Sequence, residues 1–386
     1  MDFSLTPEQK AFADSARAFS EGVLAPNAAR WDEESTFSKD ALRQAGELGF
    51  MGLYTPVEAG GLGLGRLEAS LIVEELAKGC TAMGAFMTIH NMATSMVGKY
   101  ASAAVIEQYC GDLVAGSKLA SYCLTEPQAG SDAASLATTA RRDGDDYVVN
   151  GSKVFISGAG ESDVLVVMVR TGGEGAKGIS SLVIPADAPG VGYGKKEEKM
   201  GWRAQPTRMI TFDDVRVPVG NRLGEEGQGF AIAMEGLDGG RINIATCSIG
   251  TAQQALEEVV DYTRERTQFD RRIADFQATQ FKLADMLTEL VAARQLVRLA
   301  AWKLDQQDPQ ATVFCAMAKR FATDIGFQIC NDALQLFGGY GFMKEYPMER
   351  HVRDTRVHQI LEGTNEIMRV IISRKMLMDG ALEIIK

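Results

Sequence analysis

The stretch Leu119-Ala120-Ser121-Tyr122-Cys123-Leu124-Thr125-Glu126-Pro127-Gln128-Ala129-Gly130-Ser131-Asp132 decides how the chain is organised. Before it, apolar residues recur at helical spacing; from Leu119 the period changes to two, the mark of a half-buried strand. The pattern continues through Ala137–Arg142, Tyr147–Asn150, Lys153–Ser157, Val164–Val169, Ser181–Pro185 and Arg208–Phe212. Asp143-Gly144 and Asn150-Gly151 read as hairpin turns, since both dipeptides tolerate positive φ. Short strands with no helices between them predict an antiparallel barrel or sandwich of roughly 100 residues.

Both flanks read as helical. Thr6-Pro7-Glu8-Gln9 forms a capping box with Pro at the first helical position, and Phe12, Ala16, Phe19 and Val23 follow until Pro26 stops the pattern. Asp40–Leu48, Leu67–Lys78, Met83–Tyr100 and Ala103–Leu113 continue the series, with Gly60–Gly65 as an inter-helix loop. After Leu223, helical periodicity persists to Lys386 through Phe230–Ile249, Ala252–Glu265, Ala278–Leu304, Ala311–Leu336 and Asn365–Met378. The expected fold is α+β: a helical domain over 1–118, a β domain over 119–222 and a helical bundle over 223–386.

This order excludes several classes. There is no βαβ alternation for a nicotinamide-binding domain. His90, His351 and His358 lack metal spacing, and no P-loop or G-x-S-x-G elbow is present. A net charge of -11 argues against nucleic acid. No run approaches the ~20 apolar residues of a membrane span. The N-terminus has no signal or transit pattern, so a cytoplasmic location is expected, or the mitochondrial matrix if a leader has been removed. Six dispersed cysteines suit reduced, buried thiols.

Five segments could carry chemistry. The loop after Thr125, with Pro127, Gly130, Ser131 and Asp132, leaves donors at a strand end for a heteroaromatic edge or a phosphate, or is a plain rim turn. Phe155-Ile156-Ser157 ends another strand before glycines, where Phe155 is either a ligand wall or core. Gly239-Gly240 interrupt a helix at about 1 kcal/mol each, so a packed helix or a ligand fills the space. Asp238 and Arg241, one turn apart, form an internal ion pair or meet a substrate. The run Gln335–Gly341 is a helix cap or an exposed backbone for phosphate. Arg353-Asp354 precede the fifth segment, in which Glu362 follows Ile360 and Leu361 and precedes Gly363, with Thr364 placed to cap the next helix. A carboxylate in apolar surroundings has a raised pKa and can act as a general base; in solvent it is ordinary surface.

Taken together, Y-C-L-T-E-P-x-x-G-S-D, N-G-x-K-x-F-I-S, R-x-x-F at Arg266–Phe269, Q-x-x-G-G-x-G and L-E-G-T-N-E-I-M-R resemble the acyl-CoA dehydrogenase family along essentially the whole chain. S-G-A-G-E-S-D at Ser157–Asp163, R-T-G-G at Arg170–Gly173, G-G-R-I-N-I-A at Gly239–Ala245 and R-V-H-Q-I-L-E-G at Arg356–Gly363 resemble its isobutyryl-CoA dehydrogenase subgroup. The resemblance implies FAD as cofactor and an alpha-branched acyl-CoA as substrate, isobutyryl-CoA going to methacrylyl-CoA in valine catabolism. Straight-chain dehydrogenation, an oxidase or monooxygenase on the same fold, and a non-catalytic scaffold are the rivals.

It also implies roles. Tyr122, Cys123, Leu124, Thr125, Phe155, Ile156 and Ser157 would flank the flavin, with Ser131 reaching the pyrophosphate or pantetheine. Arg266, Phe269, Gln277, Gln335, Gly338 and Gly339 would hold the phosphates and adenosine of a flavin shared between subunits of a homotetramer, a dimer of dimers. Thr364 and Glu366 would also meet FAD; Asp238, Arg241 and Gly363 would contact acyl-CoA. Electron-transferring flavoprotein would be the electron acceptor. Some branched-chain relatives carry the base one residue before the position of Arg241; here that residue is Gly240, leaving Glu362. Leu361 stands where the family often has Tyr, and facing Gly239-Gly240 it would make room for a methyl branch.

Overall fold

The computed structural model describes residues 4–378; the predicted helical continuation over 379–386 lies outside them. Six helices come first: α1 (Pro7–Phe19), α2 (Ala25–Glu34), α3 (Lys39–Glu47), α4 (Arg66–Gly79), α5 (Thr81–Tyr100) and α6 (Ala103–Val114). The capping box forms as predicted, Thr6 and Gln9 each accepting the other's backbone N–H. Pro26 does not end the helical path. It sits in the first turn of α2, where a missing N–H costs nothing, and a π turn over Ser20–Leu24 joins α1 to α2.

One eight-stranded sheet follows: β1 (Ala120–Cys123), β2 (Thr139–Asp143), β3 (Asp146–Ser157), β4 (Val164–Arg170), β5 (Ile179–Pro185), β6 (Val191–Tyr193), β7 (Thr207–Pro218) and β8 (Arg222–Leu223). It is mixed rather than antiparallel, because β1 and β2 both pair parallel with β4. A period of two reports which face is buried and says nothing of strand direction. Asp143-Gly144 turns as predicted between β2 and β3. Asn150-Gly151 does not. β3 runs through it with a register shift, and Gly151 is required because a Cβ there would come within 2.7 Å of the Thr138 Cα.

The chain closes with α7 (Gly229–Glu265), α8 (Gln277–Asp305), α9 (Ala311–Phe337), α10 (Met348–Arg356) and α11 (Asn365–Met376). Helix α7 is continuous where two helices are predicted. Gly250 is a packing notch, not a break: a Cβ there would meet the Glu74 carbonyl and sit 3.0 Å from the Ala77 Cβ, so α4 crosses α7 at close range. Helix α7 thus packs on α4 and α5 on one side and on α8, α9 and α10 on the other. It is the spine between the two helical regions.

Candidate active site

Glu362 lies between a 3-10 turn (Val357–Gln359) and α11, with φ +51, beside Gly363 at φ +89. A left-handed glutamate costs on the order of 1–3 kcal/mol and persists only where its surroundings over-determine it. They do so here. Upstream, His358 is fully buried; it accepts from the Trp202 indole at 3.2 Å and lies 2.7 Å from the Ser248 hydroxyl. Burial pushes its pKa down to about 3, so it is neutral. Downstream, the buried Lys319 ammonium donates to the Gly363 carbonyl at 2.8 Å and to Asn365 Oδ1 at 2.9 Å. Asn365 donates in turn to Thr323 and Asp324, and Thr364 caps α11 through the Ile367 N–H.

The carboxylate rests on Gly240, whose added Cβ would overlap Oε2. Although the residue is only half-buried overall, Oε2 is sealed from solvent and has no hydrogen-bond partner. Burial raises the Glu362 pKa to about 7, against the opposing pull of Lys319, Arg241 and Arg66. Three more sealed, unpartnered polar atoms belong to these neighbours: the Tyr122 hydroxyl, Arg66 Nη1 and Arg241 Nε. Orphaned buried groups are costly, and here they cluster electrostatically around one carboxylate. Among the described residues no hydrogen bond engages the Glu362 N–H either.

The glycine pair is filled by side chains rather than by a helix: Gly239 faces the Arg66 guanidinium, which stacks 3.5 Å above the Tyr54 ring, and Gly240 faces Glu362. Leu361 is half-buried. It packs against the core of the N-terminal helices. Asp238 and Arg241 form the internal ion pair, both largely buried, and Thr312 also donates to Asp238 at 2.6 Å. Arg353 and Asp354 are structural, bonding Asp32, Glu349 and the Trp202 N–H.

At the strand ends, Phe155 stands out of the sheet, 73% exposed at φ +58, where the β3–β7 register shifts between Lys153 and Ile156. Bulges of this kind re-aim a side chain. Beside it, the Thr125 carbonyl accepts from the Val154 N–H at 2.9 Å. Ser157 Oγ accepts from Gln205, whose Oε1 is sealed and unpartnered. Ser131 is exposed on the loop. The side chains of Cys123, Leu124 and Ile156 point into cores, so only their main-chain groups remain for a ligand. Beneath both strand ends lies a fully buried ion pair, Lys153 with Glu126 at 2.6 Å; Glu126 also accepts the N–H groups of Ala137 and Thr138. The exposed ring, the orphaned Tyr122 hydroxyl and the unpartnered Gln205 Oε1 fit a planar, polar-edged cofactor such as a flavin.

Arg266 caps the far end of α7, 26 residues beyond Gly240, roughly 39 Å away at 1.5 Å per residue. With Gly338, Gly339 and Tyr340 it lines a groove of about 370 Å³. Gln277 and Gln335 are exposed nearby in sequence, and Phe269 is 88% exposed at φ +54. Glu366 also faces solvent. The structure therefore gathers Tyr122, Asp238, Arg241, Glu362 and Gly363 in one place and leaves the Arg266 group in another. Arg66, Tyr54 and Lys319 are not among the predicted site residues. Lys319 carried a signal, a lysine spaced four and three residues from the apolar Cys315 and Ala322 on one helical face.

Helical, sheet and helical regions around a buried carboxylate define a recognised class, and the chain belongs to the acyl-CoA dehydrogenase family. Residues 6–117, 121–215 and 227–377 match the family's N-terminal, middle and C-terminal domains in turn. The mitochondrial isobutyryl-CoA dehydrogenase of Dictyostelium discoideum is 52% identical over 376 residues, covering 97% of this chain and 90% of that protein. Butyryl-CoA dehydrogenase from Megasphaera elsdenii superposes with a TM-score of 0.94 at 40% identity, over 98% of this chain and all of that one. PigA, solved with FAD and proline, superposes at 0.94 with 30% identity, over 97% of this chain and 99% of its own.

Proposed function

We propose that this chain is an FAD-dependent acyl-CoA dehydrogenase whose Glu362 removes the alpha proton of a short, alpha-branched acyl-CoA, isobutyryl-CoA above all. The observation that carries the reading is the sealed, unpartnered Oε2 of Glu362 on Gly240, where burial raises the pKa to about 7. Desolvation that penalises the anion makes it a stronger base, and proton uptake relieves the penalty. The free Glu362 N–H is positioned on the same loop to donate to a thioester oxygen as enolate charge builds there. Bound FAD would supply the hydride acceptor for the beta carbon.

Tyr122, Thr125, Phe155 and Ser157 would flank the ring, with the main chain of Cys123, Leu124 and Ile156 and with Thr364 and Glu366 beside it. Ser131, Asp238, Arg241 and Gly363 would meet the acyl-CoA. Arg266, Phe269, Gln277, Gln335, Gly338 and Gly339 are too far from Glu362 to serve the same flavin within one chain. That separation supports a flavin shared across a homotetramer, as do the exposed Phe281, Leu287, Trp302 and Phe342. Electron-transferring flavoprotein is the acceptor that family membership favours, and six buried free thiols suit the cytoplasm or the mitochondrial matrix. No helix among the described residues is long and apolar enough to cross a membrane.

The test is anaerobic reduction of the purified yellow protein by a panel of straight and alpha-branched acyl-CoAs. Fastest bleaching by isobutyryl-CoA supports the reading. A colourless protein, or a flavin that no acyl-CoA reduces, overturns it; faster bleaching by butyryl-CoA overturns the branched preference alone.

A further inference from the structure

Two lysines are completely buried among the described residues, Lys153 and Lys319. Lys153 is paired with Glu126, but no carboxylate among the described residues lies within ion-pair distance of Lys319. A buried ammonium without a carboxylate in contact is expensive, and burial pushes this one down to about 8. Its hydrogen bonds go to the Gly363 carbonyl and Asn365 Oδ1, the residues that directly follow Glu362. The largest opposing charge it feels is Glu362 itself, ahead of Asp324 and Glu366, with Arg241 acting against it.

We propose that Lys319 is a positioning residue for Glu362: it pins the loop in its left-handed turn and favours the carboxylate form from behind. The role rests on the reading of Glu362 as the base. The other groups facing the carboxylate are otherwise engaged. Arg241 on α7 is held by Asp238, Arg66 on α4 is stacked on Tyr54, and Tyr122 and Cys247 are neutral, burial raising both pKa values. His358, which faces Lys319, is neutral as well. Of the three cations, Lys319 is the one with hydrogen bonds to the loop among the described residues. Its hydrogen bonds fix where Oε2 lies relative to Gly240, and its charge counters the desolvation that would otherwise keep Glu362 protonated.

The test uses holoenzyme of wild type, Glu362→Gln, Lys319→Met, Lys319→Arg and Asn365→Ala. Anaerobic flavin reduction by isobutyryl-CoA is followed from about pH 6 to 9. Lys319→Met should retain flavin, lose roughly 10- to 100-fold in rate, and move the acid limb of the profile upward by about one pH unit or more. Lys319→Arg should return the limb toward wild type. An unchanged limb in Lys319→Met, with only a lower Tm, overturns the proposal. If Lys319→Met does not fold, Asn365→Ala decides: it keeps the ammonium but removes one of its two anchors on the loop, so the rate should fall with the limb in place, and an unchanged rate overturns the role. Wild type reduced and Glu362→Gln inert leaves the base assignment standing, so that the lysine variants alone decide. Wild type inert to every acyl-CoA overturns both.

Discussion

Gly240 is the floor beneath Glu362: a methyl group at position 240 would overlap Oε2 and lie 2.9 Å from the carboxyl carbon. The residue that removes a rival position for the base is also the one that makes room for this base. Gly240→Ala should therefore displace the carboxylate and cost roughly 10- to 100-fold in flavin reduction by acyl-CoA. The helix itself would gain up to about 1 kcal/mol of propensity, so Tm should not fall in proportion. Near wild-type rates would show that the floor is slack.

Glu362→Gln should bind FAD and acyl-CoA yet lose more than about 100-fold in reduction rate. It should also change stability with pH. The pKa of Glu362 is raised from 4.5 to about 7, so the folded state holds the proton more tightly than the unfolded chain. The carboxylate therefore lowers stability as pH rises from about 4.5 to about 7. At pH 8 the Gln variant should be more stable by on the order of 1–3 kcal/mol, with the gain absent near pH 4. Thermal melts at both values check this.

The base must be ionised to act, so kcat/KM should rise with pH through a midpoint near 7 in the free enzyme. A midpoint near 4.5 would mean that the carboxylate is solvated in solution.

Phe155 holds positive φ while most of its ring faces solvent. Phe155→Gly should leave Tm of the flavin-free protein unchanged or higher, since glycine adopts that conformation without strain. FAD should dissociate faster from it, read by flavin fluorescence. Equal retention of flavin would remove the ring from the cofactor site.

Lys153→Met leaves the buried Glu126 carboxylate without its counter-ion, and should destabilise by about 3–5 kcal/mol. Adding Glu126→Leu should recover part of the loss, measured by denaturant unfolding.

The order of helices, strands and helices was legible because hydrophobic period is a local property, as was the Thr6–Gln9 capping box. Gly250 and Asn150-Gly151 were misleading for the opposite reason. Each glycine serves a neighbour distant in sequence, the Glu74–Ala77 stretch in one case and Thr138 in the other, and local spacing cannot distinguish such a notch from a break. Strand direction was equally invisible, since side-chain alternation is the same for β1 parallel or antiparallel to β4.

At the site, ordered motifs singled out Glu362, and Gly240 removed its rival. What the sequence determined by itself was the class of chemistry, because residue types at fixed local spacing carry it. What only the tertiary structure decided was the state of that carboxylate. Its burial, its seat on Gly240 and the cations of Lys319, Arg241 and Arg66 come from α9, α7 and α4, and a pKa depends on the dielectric and charges that these distant segments bring together.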